Sequence, residues 1–111
     1  MAKGDVLYAS QSQYIRSNSQ NYMAILQSNG DFVVYALVSG VYSNVVWHTN
    51  TAGNANAYLI MQTDGNLVLY SSSNVPLWAS GTVGTGYNLV MQDDGNLVVY
   101  DANYNKAWSS L

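Results

Sequence analysis

Apolar residues in this chain come in short runs that never reach helical length. Ala24-Ile25-Leu26, Leu59-Ile60-Met61 and Leu89-Val90-Met91 each lead through a glutamine into a turn-forming stretch: Ser28-Asn29-Gly30-Asp31, Thr63-Asp64-Gly65-Asn66 or Asp93-Asp94-Gly95-Asn96. A β-branched and aromatic run follows each turn, at 32–35, 67–70 and 97–100. An apolar strand, an Asn-Gly or Asp-Gly turn and a second strand form the pattern of a β-hairpin. No stretch holds a sustained 3.6-residue apolar period, so helix is disfavoured. Polar turn clusters recur at 17–19, 71–74, 81–86 and 101–105. Many short strands punctuated in this way predict an all-β repeat fold. The single proline, Pro76, suits an edge strand or a strand start.

The hairpins are copies of one unit, and a repeated unit sets an architecture. Met61 to Tyr70 and Met91 to Tyr100 are nearly identical, and Leu26 to Tyr35 is a looser copy. Gln27 and Gln62 are 35 residues apart, Gln62 and Gln92 are 30 apart. Each unit closes on a tryptophan beside small polar residues: Trp47-His48-Thr49, Trp78-Ala79-Ser80 and Trp108-Ser109-Ser110. From glutamine to tryptophan the gap is 20, 16 and 16 residues, so the first unit carries four extra residues, placed around 36–45. Alternation along a strand assigns faces. Leu67 and Leu69, like Leu97 and Val99, are placed in the core. The three tryptophans are expected to meet on a pseudo-threefold axis, each indole N–H requiring a buried acceptor.

Composition narrows the partners. The 111 residues suit one domain, residues 1–111, with three internal repeats. Charged residues make up only 8%, with a net charge of −3 from six Asp, two Lys and one Arg. Neither a basic nucleic-acid footprint nor a polybasic membrane patch is present. No run reaches the roughly 18 apolar residues of a membrane span, so no membrane insertion is expected. With no cysteine, disulfides and Cys-based metal sites are excluded. The opening Met-Ala-Lys-Gly-Asp shows no signal peptide, leaving a cytoplasmic location or secretion with the signal removed.

The opposite strand face carries the candidate chemistry. Gln62, Asp64, Asn66, Val68 and Tyr70 occupy every second position, as do Gln92, Asp94, Asn96, Val98 and Tyr100. Fully extended, Gln62 and Tyr70 would stand about 26 Å apart at roughly 3.3 Å per residue. A hairpin folds Gln62 back beside Asn66, with Asp64 at the bend and the long Tyr70 ring leaning toward the turn. The resulting patch holds a carboxylate, two amides, a phenol and an apolar valine. It suits the vicinal hydroxyls and C–H face of a sugar ring. His48 is assigned a structural role. Asp93, adjacent to Asp94 and therefore on the other face, is read as a solvated turn residue.

Gln-x-Asp-x-Asn-x-Val-x-Tyr resembles the mannose-binding motif of the monocot (snowdrop-type) bulb lectins. It matches in full at Gln62–Tyr70 and Gln92–Tyr100, and the likeness runs from Asp5-Val6-Leu7-Tyr8 to Trp108. The resemblance implies a β-prism II: three four-stranded antiparallel sheets about a pseudo-threefold axis, one sugar site per sheet. It implies that Asp and Asn hold the axial 2-hydroxyl of mannose, Gln the 3-hydroxyl, Tyr the 4-hydroxyl, and Val the ring carbons. Mannose and high-mannose glycans are the implied partners, with no cofactor and no metal. Dimers of the family exchange C-terminal strands, which leaves a homodimer open. The first copy reads Gln27, Asn29, Asp31, Val33 and Tyr35, with Asn and Asp exchanged, so a weaker or altered sugar site is expected there. Gly30 and Ala57 stand where plant members carry a disulfide.

Other classes fit less well. A glycosidase needs two carboxylates about 5–10 Å apart, yet the chain has no Glu and the Asp of each site lies in a different repeat. The serines lack the His and Asp spacing of a nucleophile system. One carboxylate per site is poor calcium ligation. The remaining alternative is a protein-interaction or structural module of the same fold with partly relic sugar sites.

Overall fold

The apolar and β-branched runs form three central hairpins, and the outer strands flank them. The computed structural model describes residues 1–111. In chain order the strands are β1 (Val6–Tyr8), β2 (Tyr14–Arg16), β3 (Tyr22–Leu26), β4 (Phe32–Val38), β5 (Val41–His48), β6 (Tyr58–Met61), β7 (Leu67–Tyr70), β8 (Pro76–Ala79), β9 (Asn88–Met91), β10 (Leu97–Tyr100) and β11 (Lys106–Ser109). The one helical element is a 3₁₀ turn at Ala9–Gln11. No helix is long and apolar enough to cross a membrane.

Three antiparallel sheets result, with strand orders β2-β3-β4-β5, β1-β6-β7-β8 and β11-β10-β9. This is the β-prism II arrangement expected from the sequence. The third sheet differs in detail, with three strands where the resemblance implies four. Its β9 edge is met only by the first two residues. Ala2 bridges Asn88, while the Met1 amine donates to Leu89 O at 2.7 Å and Met1 O accepts from Leu89 N–H at 2.8 Å. Pro76 opens β8, an edge strand, where its missing N–H costs no ladder bond.

Alternation places the core as the sequence predicts. Phe32, Val34, Leu67, Leu69, Leu97 and Val99 are fully buried and pack with Leu26, Leu59, Met61 and Leu89. Each such side chain contributes about 1.5–3 kcal/mol by leaving water. The three tryptophans meet edge-on, with ring centroids 5.6 Å (Trp47–Trp78), 5.3 Å (Trp47–Trp108) and 5.2 Å (Trp78–Trp108) apart. The expectation of a buried acceptor for each indole fails for a physical reason. The rings are only half-buried, and no buried side-chain nitrogen or oxygen lacks a partner, so each indole N–H reaches water instead.

Seams join neighbouring repeats at the turns. A Cβ on Gly30 (φ +89°) would lie 2.2 Å from the Asn54 carbonyl oxygen, and one on Gly65 (φ +94°) would lie 2.9 Å from that of Gly86. The third turn reaches back to the first repeat, where Asp93 Oδ1 accepts the Ser19 N–H at 2.8 Å. Asp93 is exposed, as a solvated turn residue should be, yet it also closes the ring of repeats. The four extra residues of the first repeat do not form an irregular loop. They lengthen β4 and β5 into a projecting hairpin turned by Ser39 (φ 53°) and Gly40 (φ 79°).

Candidate functional site

Each hairpin closes by a three-residue loop rather than a two-residue one. Gly65 N–H donates to Gln62 O at 3.0 Å, and Gln62 N–H donates to Asn66 O at 2.9 Å. Asp64 keeps a negative φ and only Gly65 is left-handed, which excludes a type I′ turn centred on Asp-Gly. The loop sets Gln62 directly beside Asn66 and lifts Asp64 over the end of the sheet. A register shift falls immediately before the motif tyrosine in every sheet, at Val34/Tyr35, Leu69/Tyr70 and Val99/Tyr100. Such a bulge bends the strand and re-aims the side chain that follows. Tyr70 also stacks on Tyr58, its partner across β6, with centroids 5.3 Å apart.

These features bring three polar side chains and the Asn66 backbone into one network. Tyr70 Oη donates to Gln62 Oε1 at 2.5 Å, and Gln62 Nε2 donates to Asp64 Oδ1 at 3.2 Å. Asp64 Oδ1 also accepts the Asn66 N–H at 2.9 Å. Asn66 turns its Oδ1 inward, accepting from Gly81 N–H at 3.0 Å, Thr82 N–H at 3.2 Å and the Ser80 hydroxyl at 3.3 Å. Its Nδ2 has no protein partner. The third site repeats the scheme. Tyr100 donates to Gln92, Gln92 Nε2 to Asp94 at 3.2 Å, and Asn96 N–H to Asp94 at 2.9 Å. Asn96 Oδ1 accepts from Leu111 N–H at 3.1 Å and from the Ser110 hydroxyl at 3.3 Å. The Asn96 N–H chiefly holds the exposed Asp94 carboxyl below its ordinary range, with help from Gln92 and Lys106.

The outward-facing atoms define what each patch can do. Asp64 and Asp94 keep acceptor lone pairs, the asparagines offer N–H donors, and the glutamines have a second amide hydrogen. The phenol oxygens can still accept. Donors and acceptors thus stand side by side on each patch. The valines lie deeper than expected. Val68 is 3% exposed and Val98 is 0% exposed, so a sugar ring would gain little apolar contact from them.

Beside the third site an open groove of about 450 Å³ separates Arg16 and Asn18 from Gln92, Asp93 and Asp94.

Relatives carry the same frame. The chain is 39% identical over 89 residues to a mannose-specific lectin of Aloe arborescens, spanning 76% of this chain and 74% of that protein. The structure superimposes on a monomeric monocot mannose-binding lectin from Gastrodia elata with a TM-score of 0.80 at 33% identity, covering 99% of this chain and 94% of that one. It superimposes on the snowdrop (Galanthus nivalis) agglutinin complexed with methyl-α-D-mannoside with a TM-score of 0.76 at 32% identity, over 92% and 88% of the two chains.

The chain belongs to the bulb-type mannose-binding lectin family. No family model matches the sequence. The chain spans 41% of the length of a viral relative and 34–49% of three bulb lectins. Membership of a lectin family supports a carbohydrate-binding role for this chain.

Within this lectin frame the first site is built differently. Asn29 takes over the Asp64 role, its Oδ1 accepting from Gln27 Nε2 at 3.3 Å and Asp31 N–H at 3.0 Å, and Tyr35 donates to Gln27. Val33, at 2% exposed, is buried like its counterparts. Asp31 sits where Asn66 sits, with Oδ1 accepting from Thr49 Oγ1 and Thr51 N–H, both at 3.2 Å. Its Oδ2 meets His48 Nδ1 at 2.8 Å. The exchange therefore keeps the network and changes what faces outward.

The sequence reading missed the residues two and four places after the tryptophans. Thr49, Ser80 and Ser110 each accept a backbone N–H from Phe32, Leu67 or Leu97, and each donates to the site Asp or Asn. Thr51 and Thr82 each donate to the turn-glycine carbonyl, at 2.7 and 2.6 Å. A hydroxyl residue two places after every tryptophan was the available signal.

Proposed function

We propose that the chain, residues 1–111, acts as one calcium-independent lectin domain that binds mannose and mannose-rich glycans. The binding residues are Gln62, Asp64, Asn66 and Tyr70 in one site, and Gln92, Asp94, Asn96 and Tyr100 in the other, with Val68 and Val98 buried beneath them rather than in contact with the ligand. The observation that carries this reading is the atom-for-atom repetition of the Tyr–Gln–Asp–Asn network in two sheets. Packing alone does not require an outward amide and an outward carboxylate side by side. The snowdrop structure supports the sugar class, since that protein is complexed with methyl-α-D-mannoside.

Asp and Asn flank the position of an axial 2-hydroxyl, the group that separates mannose from glucose. Tyr addresses an equatorial 4-hydroxyl, which galactose lacks. Calcium takes six to eight oxygen ligands, and each site offers one carboxylate. A shallow site of this kind binds a monosaccharide in the millimolar range, about −4 kcal/mol. Two sites on different faces then serve dense glycan surfaces through effective concentration. Inhibition of mannan binding by mannose, glucose and galactose, with and without EDTA, tests the reading. Mannose is expected to inhibit best and EDTA to change nothing. Equal inhibition by glucose, or loss of binding in EDTA, counts against it.

A further inference from the structure

His48 stands at a position where the other two repeats have small residues. On β5 it lies opposite Val33, as Ala79 lies opposite Val68 on β8 and Ser109 opposite Val98 on β11. Directly opposed residues share a sheet face, so all three point to the sugar side. Alanine and serine leave that side open. An imidazole fills it, and the His48 side chain remains 44% exposed over Asp31, which is 11% exposed.

The ring also uses the atom that the exchange would have made available. In the second and third sites the asparagine Nδ2 is a free donor. In the first site Asp31 Oδ2 takes that place as an acceptor, and a hydroxyl could reverse its proton to suit it. His48 Nδ1 already occupies Oδ2 at 2.8 Å, and an ionised carboxylate accepts but does not donate, so Nδ1 carries the hydrogen. Thr49 and Thr51 hold Oδ1. An incoming 2-hydroxyl therefore meets an oxygen with one lone pair already taken by the imidazole and a ring standing over it.

Resting on the mannose reading above, we propose that His48 is a specificity-determining residue that closes the first site to mannose by latching Asp31. The Asn29/Asp31 exchange and His48 act as one unit, because Asp31 without His48 would present an uncovered Oδ2 acceptor.

Titration of the ¹⁵N-labelled chain with methyl α-mannoside, followed at the backbone amides of Asp31, Asn66 and Asn96, tests this. In the native chain Asn66 and Asn96 are expected to respond together, with Asp31 requiring roughly tenfold more sugar, the scale of one charged hydrogen bond. His48→Ser should bring the Asp31 response toward that of Asn66, and Asn29→Asp/Asp31→Asn/His48→Ser should make all three coincide. Unchanged Asn66 and Asn96 responses report that a variant is folded, and the single variant decides if the triple one is not. The His48 ring should show a proton on Nδ1 in the free protein. A native Asp31 response matching that of Asn66 overturns the proposal. So does an unchanged first site in His48→Ser, or a bare Nδ1. If Asn66 and Asn96 also fail to respond, the mannose reading itself is wrong.

Discussion

In the second turn Asn66 accepts three hydrogen bonds with its oxygen and leaves its nitrogen facing out. In the first turn Asp31 does the same with one oxygen but has the other bound by His48. The loop hydrogen bonds barely differ, with Gly30 N–H to Gln27 O at 2.9 Å against 3.0 Å for Gly65 N–H to Gln62 O. The comparison separates two demands on the same residues. Folding the turn needs an oxygen at the Asp64 position and an oxygen at the Asn66 position, and either amide or carboxylate supplies both. In the proposed sites, binding uses the other atom of each group, where amide and carboxylate are opposites. A turn can thus be exchanged without structural cost while its ligand chemistry is inverted.

The largest expected effect concerns the seams. Gly30→Ala places a Cβ 2.2 Å from a backbone oxygen, whereas Gly65→Ala places it at 2.9 Å. Left-handed backbone costs a non-glycine residue about 1–3 kcal/mol, and a forced contact adds about 1–3 kcal/mol. Denaturant unfolding should rank Gly30→Ala as the more damaging. The reverse order would mean that the Asn54 segment yields more readily than the Gly86 segment.

Next in size, Asp64→Ala and Asp94→Ala should each abolish sugar binding at one site, at a cost of about 1–3 kcal/mol or more for an unpaired partner, with the fold kept. Asn29→Ala should leave sugar binding at the other two sites unchanged. Calorimetry with methyl α-mannoside on the Asp64→Ala/Asp94→Ala variant reads this directly, and unaltered binding would remove both aspartates from the sites.

A smaller effect follows from acidity. The Asn96 N–H depresses the folded-state pKa of Asp94, so its contribution to stability is fully present above the ordinary carboxylate range. It is lost only as pH falls through the lower, folded value. A carboxyl ¹³C titration should find Asp94 below the usual aspartate midpoint of about 3.9. An ordinary midpoint would show that the Asn96 bond does not favour the charged form.

The smallest is Arg16→Ala. The groove joins Arg16 to Gln92 and Asp94, so this change should weaken a mannose oligomer at the third site by less than about tenfold, roughly 1.4 kcal/mol. Methyl α-mannoside should bind as before. An equal loss for both ligands would place Arg16 in the primary site.

Most of this architecture was legible because it rests on local rules. The Leu67/Leu69 and Leu97/Val99 alternation identified the core face, the tryptophan spacing found the central triad, and Pro76 marked the start of an edge strand. The clustering of Gln62, Asp64, Asn66 and Tyr70 followed from folding a hairpin at the glycine. What escaped depended on pairings between distant strands. His48 lies 17 residues from Asp31, and only the β4–β5 register places it on the sugar face. The register shift that aims Tyr70 leaves no sequence mark. Neither does the burial of Val68. The indole N–H groups were misjudged because a central position was equated with full burial.

The Tyr–Gln–Asp relay has a consequence for the thermodynamics of recognition. Glutamine is among the side chains that lose most rotamer freedom on being fixed, and immobilising such a side chain at an interface costs about 0.5–1.5 kcal/mol. Here Gln62 is held at both ends, by Tyr70 and by Asp64, within the protein's own fold. That ordering is settled during folding, before any ligand arrives. A small polar ligand with little apolar area to bury then meets a surface whose entropy has already been spent. What binding must still offset is the ligand's own loss of freedom and the removal of water, not the ordering of Gln62.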